Sequence, residues 1–233
     1  MDILQTITQE FNLKPNHTAN IVSLIDEGNT IPFIARYRKE MTGSCDDQVL
    51  RELFDRLTYL RNLEKRKEEV ANAITEQGKM TDDIRAALDK ATILTEVEDI
   101  YRPYKQKRKT RASVAIAKGL QPFADAILAQ DKNFDVKKEA EAYITEEVKT
   151  VAEAIAGAKD IIAEIVSDDA STRKKLRNFF FKHGEILSSY AKGKAEADET
   201  KTYEMYADYH EPVSEVKSHR ILALNRGVKE EFL

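Results

Sequence analysis

The chain has 233 residues, 42% of them hydrophobic and 33% charged, with a formal net charge of −4. The length allows one or two cores, the composition is that of a folded chain rather than a disordered one, and the acidic balance excludes a chain that is basic as a whole, so nucleic-acid binding would have to come from a local patch. Only 8 glycines and 5 prolines are present, too few for the tight turns of an all-β protein, while the single cysteine, Cys45, excludes an internal disulfide and a multi-cysteine zinc site.

Residues 2–11 place Ile3, Leu4, Ile7 and Phe11 at helical spacing, and Asn12 to Pro15 break the pattern. A second helix is predicted from about Asn16 to Glu27, with Gly28 as its stop. A third begins with Pro32 in its first turn; Phe33, Ile34 and Tyr37 form its apolar side and Arg36, Arg38 and Lys39 its polar end. Ser44 and Asp47 resemble a capping box for a helix running to about Gln77, where Gly78 stops it. Leu50, Leu53, Leu57 and Leu60 repeat along it at 3-4-3 spacing, widened by Phe54 and Leu63. That helix is roughly 50 Å long. Thr81 opens a further helix, expected to fold back as an antiparallel hairpin. The leucine stripe is core spacing or a hairpin seam rather than a homodimeric coiled coil, because the pattern lasts only about two heptads before Glu64-Lys65-Arg66-Lys67.

Thr95 to Glu98 read as a capping box for a short helix that Pro103 ends near Tyr101. Further helices are predicted around 113–118, 121–130, 136–147, 151–167 and 170–182, with Thr150 and Glu153 as another box. After Gly184, Ile186, Leu187 and Tyr190 suit a short strand, Tyr203 to Tyr209 crowd aromatics together, and His219 to Gly227 read as a helix. Glu231 to Leu233 look like the first residues of a strand that continues past the end. The sequence opens with no basic stretch leading into an apolar one, and no apolar run nears about 18 residues; a cytoplasmic protein with no membrane contact is expected.

The densest positive charge is Arg102-Pro103-Tyr104-Lys105-Gln106-Lys107-Arg108-Lys109-Thr110-Arg111, and no acid occurs between Asp99 and Asp125. Clustered cations neutralise phosphates and release counterions, and Tyr104 could stack on a base. Thr110 could donate to phosphate. The competing reading is a solvated loop, or Arg102 buried against Glu98. Arg36, Arg38 and Lys39 come second: a helix-turn-helix reader needs polar residues at the start of its recognition helix, whereas Ile31 to Ile34 are apolar, so packing is the better role for that helix. Of His17, His183, His210 and His219, only His210 and His219 stand near other ligand types, Glu211 and Glu215, and Pro212 breaks the helix that would align them; Cys45 has no adjacent histidine to activate it, and Asp46/Asp47, Asp82/Asp83 and Asp168/Asp169 stand at expected helix starts, where they complement the dipole. No glycine-rich phosphate loop occurs. No metal, no cofactor and no enzymatic activity are expected.

Asn29 to Glu40, Glu98 to Lys105, Ala115 to Leu120, Gly157 to Glu164 and Ser218 to Gly227, in that order along the chain, resemble the start of the Tex family of transcription accessory proteins. The resemblance implies a multidomain nucleic-acid-binding protein in which this helical region precedes an RNase-H-like (YqgF) domain, a helix-hairpin-helix region and a C-terminal RNA-binding OB-fold. It implies no catalytic residue here.

These readings predict a predominantly all-α helical array with a long helical hairpin and a minor β element after residue 184. A helix-turn-helix-like three-helix unit is expected over 1–42, a helical domain over 43–184 and a mixed segment over 185–233. The expected function is a scaffold with auxiliary, sequence-independent contact to RNA or DNA, inside a protein whose other partners are its own later domains and the transcription machinery. The alternative is a purely structural or protein-interaction module contacting the transcription or translation machinery.

Overall fold

The computed structural model describes residues 2–106 and 109–233. It is predominantly α-helical, with one two-stranded sheet among the described residues. The chain forms two compact units, Met1–Lys107 and Arg108–Leu233.

In the first unit, helices α1 (Ile3–Glu10), α2 (Pro15–Asp26), α3 (Ile31–Tyr37) and α4 (Lys39–Thr42) lead into α5 (Asp47–Glu76), and α6 (Asp82–Lys90) and α7 (Leu94–Tyr101) follow it. The Asp2 side chain caps α1, and Pro15 occupies the first turn of α2 rather than ending the loop before it, because the missing N–H has no partner to lose there. The long helix is present and unbroken over 30 residues. Its cap, however, is Asp46, whose carboxylate accepts from the Val49 N–H at 2.8 Å. Ser44 is in the left-handed region at φ 62° and gives its N–H to the Lys39 carbonyl. It completes the turn out of α4, so it cannot also adopt the extended backbone of an N-cap.

The buried face of α5 runs Leu50, Leu53, Leu57, Leu60, Leu63, Lys67, Val70 and Ile74. The stripe therefore continues through the charged run instead of stopping before it. Lys67 takes a core position by laying its aliphatic stem along the stripe; its ammonium meets Glu64 at 2.8 Å and the Asp89 carbonyl at 3.3 Å. Phe54, expected to widen the stripe, is instead exposed. With only residues 77–81 between the two helices, the Lys67–Asp89 hydrogen bond shows that α6 runs back antiparallel to α5. Leu94 N–H to the Tyr59 hydroxyl, Arg66 to Glu98 and Gln77 to the Tyr104 carbonyl then carry α7 back alongside α5 in the parallel sense. On another face, Arg56 grips Glu10 and Arg61 grips Asp26, each through two hydrogen bonds, tying α1 and α2 to the same helix.

The Thr95–Glu98 box does not form. α7 starts at Leu94, which puts Thr95 inside the first turn; Glu96 accepts the Thr92 N–H at 3.0 Å, and Glu98 is committed to Arg66. α7 ends at Tyr101 as expected, yet Arg102 keeps helical angles (φ −52°, ψ −44°) and the chain tightens into a 3-10 turn over Arg102–Tyr104 before it leaves. Val97 is fully buried, with Ile100, Tyr101 and Tyr104 packed on the same core.

In the second unit, α8 (Arg111–Ala117), α9 (Gln121–Leu128), α10 (Val136–Ala140) and α11 (Val151–Asp168) enclose a core built largely of alanines around Phe123, Leu120 and Ile161. Small side chains let α8 and α11 approach closely: a Cβ at Gly157 would lie 3.3 Å from the Ala115 Cβ of α8, and 2.4 Å from the Cδ1 of Leu120, the residue before α9. The helix expected over 136–147 ends at Ala140 and tightens into a 3-10 turn over Glu141–Tyr143, which brings Tyr143 onto Phe123 at 4.9 Å. Thr150 caps α11 through the Glu153 N–H, while the Glu153 carboxylate takes the N–H of Lys149 rather than that of the cap. α12 (Ala170–His183) follows, capped by Asp169.

Beyond Gly184, β1 (Glu185–Ser189) pairs antiparallel with β2 (Asp208–Pro212), Leu187 opposite His210. α13 (Ser218–Lys229) packs Leu224 with Tyr203 and Tyr206. Asp198 organises the intervening loop. Burial pushes its carboxyl up, but hydrogen bonds from the Tyr203 and Thr202 N–H groups and the Tyr190 hydroxyl hold it below the usual range. Residues 231–233 are not strand: Phe232 stacks on Tyr203 at 5.4 Å and returns its N–H to the Gly227 carbonyl.

Candidate nucleic-acid interface

Cations in the first unit divide by what they face. The arginines of α5 meet acids: Arg51 with Asp47, Arg56 with Glu10, Arg61 with Asp26, and Arg66 with Glu98 and Glu69. All but the Arg51 and Glu69 pairs join α5 to another helix. Arg36, Arg38 and Lys39, at the junction of α3 and α4, are exposed, and among the described residues none of the three is in an ion pair. The expected packing role holds only for the start of α3, where Ile34 is fully buried and Ile31 packs against the same core. Tyr37, read as part of the apolar side, is the last residue of α3 and is 61% exposed.

Arg102 is exposed rather than buried against Glu98, and Lys105 is exposed beyond it. Lys107 and Arg108 lie outside the described residues. In the second unit Lys109 is exposed, and the Arg111 side chain, 89% exposed, reaches Asp160 only at 3.6 Å. Thr110 is not available to a phosphate. It is the N-cap of α8 in a reciprocal box with Ser113, and its hydroxyl donates to Glu164 at 2.9 Å. A cleft of about 440 Å³ beside it is lined by Lys109, Arg111 and Lys118, together with Glu153 and Asp160.

A second basic element is missing from the sequence-based expectations. α12 carries Arg173, Lys174, Lys175, Arg177 and Lys182 and no acidic residue, with Leu176, Phe179, Phe180 and Phe181 each at least half exposed. Its acid-free length is visible in the sequence; its lack of any buried residue is not. Cys45 donates its thiol to the Thr42 carbonyl at 3.1 Å, and burial, aided by the Asp46 charge, pushes the thiol pKa up, the opposite of an activated nucleophile. Among the described residues no group of three or more His, Cys, Asp or Glu side chains could hold a metal ion, and no helix is long and apolar enough to cross a membrane.

The described residues thus form an ion-paired, predominantly α-helical array with exposed cations at its turns. Residues 1–75 match the Tex-like protein N-terminal domain and residues 131–233 the Tex central region. The chain belongs to the Tex family of transcription accessory proteins and corresponds to its N-terminal helical part. It is 48% identical over 231 residues to Uncharacterized protein YdcI of Bacillus subtilis (strain 168), covering 98% of this chain and 32% of that protein. It is 42% identical over 233 residues to Transcriptional accessory protein Tex of Neisseria gonorrhoeae, covering 100% and 30%. With S1 RNA-binding domain-containing protein 1 of Homo sapiens it shares 32% identity over 234 residues, covering 97% and 23%. The chain thus spans about a third or less of the length of these relatives.

Proposed function

We propose that this region is a non-catalytic scaffold of a transcription accessory protein that also makes auxiliary, sequence-independent contact with nucleic acid through the segment Lys105 to Arg111. The observation that carries the reading is the contrast in commitment of charge. The α5 arginines 51, 56, 61 and 66 are consumed by carboxylates, whereas Lys105 and Lys109 are exposed and, among the described residues, held in no ion pair. Cations left in solvent set a local positive potential despite the net charge of −4, and on a chain turn they reach phosphates more readily than base edges. The name of the human relative, which includes an S1 RNA-binding domain, supports RNA among the ligands of the longer protein.

The test is a fluorescence-anisotropy titration with single-stranded and duplex oligonucleotides at two salt concentrations. Changing Lys105, Lys107, Arg108 and Lys109 together to Ala is expected to weaken binding similarly across sequences. For each phosphate that the variant leaves unneutralised, the slope of log affinity against log salt should flatten by up to about 0.9 on duplex and about 0.7 on single strands, with helical circular dichroism retained. Unchanged binding by the folded variant overturns the proposal and favours a protein-interaction module.

A further inference from the structure

Tyr37 presents most of its ring to solvent at the end of α3, 61% exposed, within a run of three cations, Arg36, Arg38 and Lys39. The ring is not loose. Phe33, one turn back, lies 5.3 Å from it at 44°. Arg38 covers the Phe33 face at 5.0 Å and donates to the Tyr37 carbonyl at 3.1 Å. Phe33, Tyr37 and Arg38 therefore brace one another, which lowers the entropy cost when something settles on the outer tyrosine face. Glu40 is the only acid from Arg36 to Thr42, and among the described residues it is in no ion pair with these cations.

A partner for this surface must satisfy both features. A purely apolar protein face would cover the ring but desolvate three cations without a counter-charge, which is costly. An acidic peptide would neutralise the cations but leave the ring without a stacking partner. A nucleotide chain supplies a flat base and a phosphate at each step, and only an unpaired strand has base faces free to stack on a side chain. We propose that the α3–α4 junction is a single-strand stacking site, with Tyr37 as the base platform and Arg36 and Lys39 meeting the adjoining phosphates. The site rests on the reading that the chain contacts nucleic acid, and it adds a preference for unpaired strands that Lys105 to Arg111 alone would not create.

The experiment measures affinity of the whole chain for a 12-nucleotide oligothymidylate (about the length of one single-strand site) and for a duplex of equal length. Tyr37→Ala is expected to weaken single-strand binding by about 5- to 100-fold and duplex binding less than about twofold, while Tyr37→Phe keeps single-strand binding near that of the parent because the ring, not the hydroxyl, stacks. Tyrosine fluorescence should be quenched by the oligothymidylate in the parent and less so in Tyr37→Ala. Parental single-strand affinity in Tyr37→Ala, or equal weakening on both ligands, overturns the stacking site. The Lys105/Lys107/Arg108/Lys109 variant, titrated in parallel, separates the two proposals. If it alone binds more weakly, phosphate contact stands and stacking falls; if the parent binds neither ligand, both fall.

Discussion

Helices α5 and α12 are both charge-rich, yet one is the spine of its unit and the other has no fully buried residue. α5 buries eight residues along a single stripe, and α1, α2, α6 and α7 reach its flanks through arginine–carboxylate pairs and a lysine–carbonyl hydrogen bond. α12 has Leu176, Phe179 and Phe180 at helical spacing too, but all are at least half exposed. Apolar periodicity says which residues share a face; whether that face is covered depends on what else the chain brings to it. Charge obeys the same rule: a guanidinium opposite a carboxylate of another helix ties the two helices together.

The sharpest way to break this comparison is by truncation. Leu60→Ala, at a fully buried position, is expected to lower the unfolding free energy of its unit by about 2–5 kcal/mol. Leu176→Ala, 50% exposed, should change stability by no more than about 0.5 kcal/mol. Urea unfolding followed by circular dichroism measures both, and similar destabilisation would mean that α12 is covered in solution after all.

Capping gives a smaller effect with a clear sign. Asp46→Ala removes the acceptor for the Val49 N–H and should cost about 0.5–2 kcal/mol. Ser44→Ala, at the position the sequence pattern favours as the cap, should cost less, since it is Asp46 and not Ser44 that accepts the Val49 N–H. Equal costs would restore Ser44 as the cap.

The smallest effect is electrostatic. The hydrogen bond from Arg56 holds the Glu10 carboxyl below its usual pKa, and that from Arg61 does the same for Asp26, against opposition from burial in both. A folded-state pKa below the unfolded value gives stability that is present above the unfolded pKa and lost as pH falls through the folded one. The first unit should therefore hold its melting temperature from neutral pH down to about 5 and lose it below about 4. Both pairs are largely in water, so the effect is modest. A Glu10→Gln, Asp26→Asn double variant should show a shallower decline between about pH 5 and about pH 3; a decline parallel to the parent's would show that these pairs contribute nothing.

Of the candidate interface, the cation clusters were legible because charge density is a property of local sequence. The status of each member was not. Thr110 looks available until α8 uses it as a cap and α11 supplies Glu164 to accept its hydroxyl. Tyr37 looks like core until the helix ends one turn after Ile34. Lys67 looks like the end of a stripe until α6 offers the Asp89 carbonyl to its ammonium. Each outcome depends on a partner distant along the chain or on the angle at which a short helix stops.

The sequence by itself determined that the chain is helical, where the long helix begins and ends to within a few residues, and that Thr81, Thr150 and Asp169 open helices, because these follow from side-chain period and from hydrogen bonds within one turn. It also carried the family motifs in order. Only the tertiary structure decided that α7 returns alongside α5, that the stripe runs on through Lys67, that Ser44 yields the cap to Asp46, and that no residue of α12 is fully buried. Those choices are set by which surfaces meet across long stretches of chain. Burial, ion pairing and exposure are properties of the meeting, not of either partner alone.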